Sequence, residues 1–317
     1  MKTSHSLLAL CVFVAGLAGI APAMAQADRS AAGDKVCTAC HDENWPKPIL
    51  SMYQTKHGVK ADARTPGCQT CHGASTEHVK ASGGTPPDMT FTRNSKNPPQ
   101  ARSDTCMGCH KRDSRRSHWD GSTHQSRDIT CANCHTVHTP RDPVLTKITQ
   151  PDVCFACHKQ QRAEINRVFR HAIVEGKVAC SDCHNPHGSA GRALMKRDSV
   201  VETCFQCHAE KRGPFVHNHE PVQEDCTLCH NPHGTVADSM LKVRPPFLCH
   251  QCHTPHGGNL AQLTGQNQQA FGLLSATTSG KSGINYTQGR GCLNCHTQIH
   301  GNNNPSATNP PPQFFLR

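Results

Sequence analysis

The stretch Lys177-Val178-Ala179-Cys180-Ser181-Asp182-Cys183-His184-Asn185-Pro186-His187-Gly188 decides how this chain is read. Two cysteines flank two residues, a histidine follows at once, and a second histidine comes three positions later. C-x-x-C-H is the attachment pattern of c-type haem. At this spacing both thiols reach the two vinyl groups of one porphyrin. The next histidine is then held over one haem face, where it meets the iron. The Asn-Pro-His-Gly that follows the motif recurs as Asn231-Pro232-His233-Gly234.

Working outward, the motif occurs ten times. The thioether pairs are Cys37 and Cys40, Cys68 and Cys71, Cys106 and Cys109, Cys131 and Cys134, Cys154 and Cys157, Cys180 and Cys183, Cys204 and Cys207, Cys226 and Cys229, Cys249 and Cys252, and Cys292 and Cys295. The proximal iron ligands are then His41, His72, His110, His135, His158, His184, His208, His230, His253 and His296. Of the 21 cysteines only Cys11 is left over. A disulfide framework would explain an even count, and zinc sites would explain Cys-His clusters. Neither explains a histidine behind the second cysteine every time.

Cys11 lies in an N-terminal export signal. Lys2 supplies the positive start, Leu7 to Ile20 an apolar run, and Ala23-Met24-Ala25 a small-residue cleavage site. Residues 1–25 are read as signal peptide and 26–317 as one decahaem domain, with two-haem repeats from about residue 57 to residue 253. The Leu7–Ile20 run is short for a membrane span.

The repeat singles out a second histidine for each iron. One unit runs from His124 through Cys131-His135 and His138 to Cys154. The next run from His171 through His184 and His187 to Cys204, and from His219 through His230 and His233 to Cys249. A looser copy holds His57, Cys68-His72, His78 and Cys106. His256 and His300 complete the set of ten distal candidates: His57, His78, His124, His138, His171, His187, His219, His233, His256 and His300. His118, His217 and His250 fall outside the register. A ring three residues beyond the proximal histidine cannot easily reach the far face of its own haem. It points instead to a neighbouring haem, without saying which.

Composition gives the fold class. Hydrophobic residues are 35% and aromatics 4%, too few for a conventional core. About 29 mature residues per motif make the haems the core. The expected fold is a multihaem cytochrome c, mostly irregular, with short α-helices after the motifs, negligible β-structure and an elongated shape. Gln160 to Val174 has helical character, whereas Lys80 to Asp104 and Gly257 to Gly291 read as solvated loops, the second also as a partner surface. The formal charge of +10 does not argue for nucleic acid, because two propionates per haem add about −20 over ten haems.

The chain resembles the MtrA/MtoA/DmsE family of decahaem cytochromes over essentially its whole mature length. The resemblance is carried by Glu175 to Gly188, Lys211-Arg212-Gly213-Pro214-Phe215, Glu224-Asp225-Cys226 and Ile299-His300-Gly301-Asn302. It implies a periplasmic cytochrome inserted in an outer-membrane β-barrel porin. Such a protein passes electrons between periplasmic or inner-membrane cytochromes and an extracellular cytochrome, mineral or metal ion, in metal or dimethyl sulfoxide reduction or in iron(II) oxidation. His217 departs from the family pattern. The rival readings are a soluble periplasmic shuttle and a multihaem reductase. A reductase needs an open iron position, marked in pentahaem nitrite reductases by C-x-x-C-K, which is absent from this sequence.

Overall fold

A computed structural model describes residues 33–59, 64–253, 292–294 and 296–303. Residues 1–25, read as a signal peptide, together with His256, Cys295 and the segment 257–291, lie outside the described residues. Among the described residues the chain is an irregular path punctuated by short helical turns, the longest being Pro99–His110 with 12 residues. Its β-structure consists of isolated bridges, Phe169–Thr235, His184–Met195, His217–Asn302 and His230–Leu241 among the described residues.

The motifs sit in helical turns of two kinds, alternating along the repeat. The first motif of a unit begins its turn at the cysteine, directly after an extended residue. The turns Cys68–His72, Cys131–Asn133, Cys180–Cys183 and Cys226–Leu228 follow Gly67, Thr130, Ala179 and Asp225 with ψ between 114° and 175°. The second motif is entered from a helix in three units, at Pro99–His110, Gln150–Phe155 and Val200–Cys204, whereas in the last the turn Cys249–Gln251 begins at the cysteine. Proline near the start of the first two helices suits a position whose N–H has no intrahelical partner. Helices therefore run into and through the motifs more than after them. Lys159–Glu164 is an exception. It covers only the start of the helix expected from Gln160 to Val174, because Phe169 is drawn into backbone pairing with Thr235.

Apolar burial is scant, with Phe155, Ile165 and Ile173 forming a small cluster backed by Val178. Units are joined instead by backbone contact. Phe169 and Thr235 exchange hydrogen bonds of 3.1 and 2.8 Å, and His217 and Asn302 exchange bonds of 2.9 and 3.0 Å. Each bridge ties the residue two before a free histidine (His171, His219) to the residue two after another (His233, His300). Gly234 and Gly301 sit beside these bridges at φ 142° and 125°. A Cβ on Gly234 would collide with the Glu164 carbonyl, and one on Gly301 with the Phe215 ring.

The segment read as a solvated loop between Lys80 and Asp104 is braced. Asn97 Oδ1 accepts from Thr90 N at 2.9 Å, and its Nδ2 donates to Asp88 O at 2.8 Å. Asp88 in turn accepts from Ser75 N at 2.8 Å. From residue 99 the chain is helical. Polar residues here serve as local hydrogen-bonding partners for backbone.

Candidate haem-binding sites

The local turn sets each motif histidine just behind its thiols, and the distant chain brings a second ring to face it. Nine histidine pairs have ring centroids 5.9–6.3 Å apart. They are His41–His78, His110–His57, His72–His138, His158–His124, His135–His187, His208–His171, His184–His233, His253–His219 and His230–His300. Each pair joins one motif histidine to one free histidine from the repeat register. His118 and His250 are exposed and enter none of the nine. His217 contributes its backbone to the bridge with Asn302. His296 is described, but its candidate partner His256 is not.

The pairing follows a rule. The histidine that opens a unit faces the second motif of the same unit, as His124 faces His158. The histidine behind the first motif faces the first motif of the preceding unit, as His187 faces His135 and His233 faces His184.

The outer ring nitrogens are tied down. Nδ1 of His72, His184 and His230 donates to the carbonyls of Met89, Ala193 and Ser239 at 2.8, 2.9 and 2.8 Å. Nδ1 of His78, His138, His124 and His171 donates to Thr85, Ile49, Pro186 and Pro232 at 2.6, 2.9, 2.8 and 2.8 Å. A carbonyl only accepts, so the proton sits on Nδ1 and the Nε2 lone pair is left for a metal. Ala193 and Ser239 hold φ of 53° and 55°, left-handed backbone that is uncommon outside glycine. Each aims its carbonyl at a ring. Three carboxylates also approach rings, Asp142 Oδ2 at 2.6 Å from His135 Nδ1, Glu164 Oε2 at 3.5 Å from His233 Nδ1 and Glu210 Oε1 at 3.6 Å from His208 Nδ1. No sequence signal marked the carbonyl partners, because any residue supplies a carbonyl.

Burial lowers the pKa of His41, His72, His110, His158, His233 and His300, and pushes His187 down to about 4. Neutral imidazole is the ligating form. Burial raises the thiols of Cys71, Cys134, Cys183 and Cys229, whereas hydrogen bonds from Cys106, Cys154 and Cys204 lower those of Cys131, Cys180 and Cys226.

Neighbouring motifs lie close to one another in chain order. Thiol contacts join first cysteines across Cys37–Cys68, Cys106–Cys131, Cys154–Cys180, Cys204–Cys226 and Cys249–Cys292. Second cysteines interact across Cys71–Cys109, Cys134–Cys157, Cys183–Cys207 and Cys229–Cys252. The two sets alternate from the first motif to the last.

These residues fit haem c. A metal–imidazole bond is about 2.0 Å, so two rings sharing one ion from opposite sides have centroids near the observed separation. Among the described residues, no three His, Cys, Asp or Glu side chains converge as an ordinary metal-ion cluster.

Comparison with known proteins agrees. The doubled CXXCH motif family matches residues 171–213 and 219–258, and the NrfB-like cytochrome c-type family matches residues 68–150. Cytochrome c-type protein NrfB of Haemophilus influenzae is 26% identical over 119 residues, covering 37% of this chain and 49% of that protein. Multiheme cytochrome MtrA of Shewanella baltica (strain OS185) is 42% identical over 286 residues, covering 89% of this chain and 82% of that protein. Likeness of that extent, on a mostly irregular chain with serial C-x-x-C-H turns and facing histidines, means that the chain belongs to the MtrA family of multihaem c-type cytochromes, electron-transfer proteins that attach their haems covalently.

Proposed function

We propose that the mature chain holds ten haems, each between one motif histidine and one free histidine, and carries electrons in single file across the outer membrane inside a β-barrel partner. What carries this reading is the set of nine facing ring pairs. In each, the two rings would hold the iron and leave neither haem face for substrate, which supports transfer without catalysis. By count His256 completes the tenth pair with His296. When bound, the haems supply one-electron iron(III)/iron(II) chemistry.

The polypeptide supplies order and tuning. The alternating nearness of first and second cysteines sets motif next to motif from Cys37 to Cys292, which favours an elongated ladder with its ends far apart. Nδ1–H donors hold the rings in one orientation. Kinship with MtrA and the export signal support a periplasmic origin.

A sheath is a physical requirement of the crossing. Among the described residues no helix is long and apolar enough to span a membrane. An irregular chain bare in hydrocarbon would leave backbone groups unsatisfied at several kcal/mol each. The test is reconstitution in liposomes holding a redox dye. With the barrel partner present, an external reductant or oxidant changes the enclosed dye, and with the cytochrome alone it does not. Equal rates with the complete pair and with the empty barrel would overturn the conduit in favour of a soluble periplasmic shuttle.

A further inference from the structure

We propose that Asp142 is a positioning residue that lowers the potential of the haem held by His135 and His187. The inference rests on the reading that these two histidines ligate one iron.

The repeat supplies its own comparison. In three units the first motif histidine bonds a backbone carbonyl: His72 to Met89, His184 to Ala193 and His230 to Ser239. In the remaining unit His135 Nδ1 meets the carboxylate of Asp142 at 2.6 Å. The Asp142 side chain is 14% exposed, and among the described residues its ionic partner is His135. Its other oxygen accepts from Thr136 N and Val144 N, both at 3.3 Å. That contact caps the turn Pro143–Leu145 and holds the carboxylate on the ring.

A carbonyl is a neutral dipole, whereas a carboxylate accepts a shorter and stronger bond. It pulls on the Nδ1 proton and makes Nε2 a better donor to the iron. Reduction adds one electron at that iron while the proton stays on Nδ1. Extra electron density and a fixed negative charge nearby both favour the ferric state.

The test is potentiometric titration of the holoprotein, followed by paramagnetic resonance of the ferric haems. Asp142→Asn removes the charge and leaves one carbonyl oxygen, enough to keep the turn cap or the ring contact but not both. Asp142→Thr, another neutral capping residue, serves if the first variant fails to mature. The expected result is that the signal of a single haem moves to higher potential, all haems stay low-spin, and Asp142→Glu moves it back. Glu175→Gln, which removes the exposed carboxylate paired with Arg170, should leave the titration unchanged. An unaltered titration in both neutral variants, or an equal shift with Glu175→Gln, would overturn the assignment. His187→Ala separates this failure from failure of the ligand reading. A new high-spin haem there upholds the ligands whatever Asp142 does, and its absence removes both.

Discussion

His124 donates from Nδ1 to the carbonyl of Pro186 at 2.8 Å, across 62 residues of chain. One short turn thereby serves three ring pairs. His184 faces His233, His187 reaches back to His135, and Pro186 steadies His124 opposite His158. The next unit repeats the arrangement, with Pro232 accepting from His171 at 2.8 Å. Each unit completes the one before it.

The first consequence concerns His187. Replacing it with alanine should produce one high-spin haem, and that haem should be the one attached at Cys131 and Cys134, because the ring faces His135. The haem beside it in sequence, at Cys180 and Cys183, should stay low-spin. Paramagnetic resonance of His187→Ala, compared with a variant that also lacks the Cys131 attachment, checks this. A high-spin signal that survives in the double variant would contradict the pairing.

Truncation gives a sharper count. A chain ending after Gly213 keeps seven motifs, and among their histidines only His184 loses its facing ring, His233. The matured fragment should carry all its haems, a single one of them high-spin. Mass spectrometry and low-temperature spectra read both numbers. Two or more high-spin haems would mean that the unit-to-unit rule is wrong.

Docking depends on Gly234. At φ 142°, beside the Glu164 carbonyl, alanine is both strained and crowded. Gly234→Ala should cost about 2 kcal/mol and loosen His233 from His184. Denaturant unfolding measures the first effect, and growth of a high-spin band the second.

Strain stored at Ala193 should be recoverable. Its φ of 53° aims the carbonyl at His184. Glycine adopts this conformation without a Cβ clash, so Ala193→Gly should be neutral or stabilising by about 0.5–1 kcal/mol. A loss of stability in denaturant unfolding would show that the Cβ itself packs.

The attachment chemistry was legible in the sequence because it is local. A cysteine pair two residues apart and the histidine behind it are fixed by covalent geometry, whatever surrounds them. The irregular fold was legible from composition, since so few apolar residues cannot build layers. Which free histidine faces which motif was not legible. His187 and His135 are brought together by docking of one unit on the last, through backbone bridges and close glycine contacts that leave little side-chain signature. The ring-steadying carbonyls of Met89, Pro186 and Ala193 were hidden for the same reason, because every residue type carries that group. Asp142 did carry a distinctive side chain, but only the turn at Pro143–Leu145 aims it at His135. Motif chemistry follows from neighbours along the chain, whereas ring pairing follows from contacts between residues far apart in sequence, and those exist only once the units have packed.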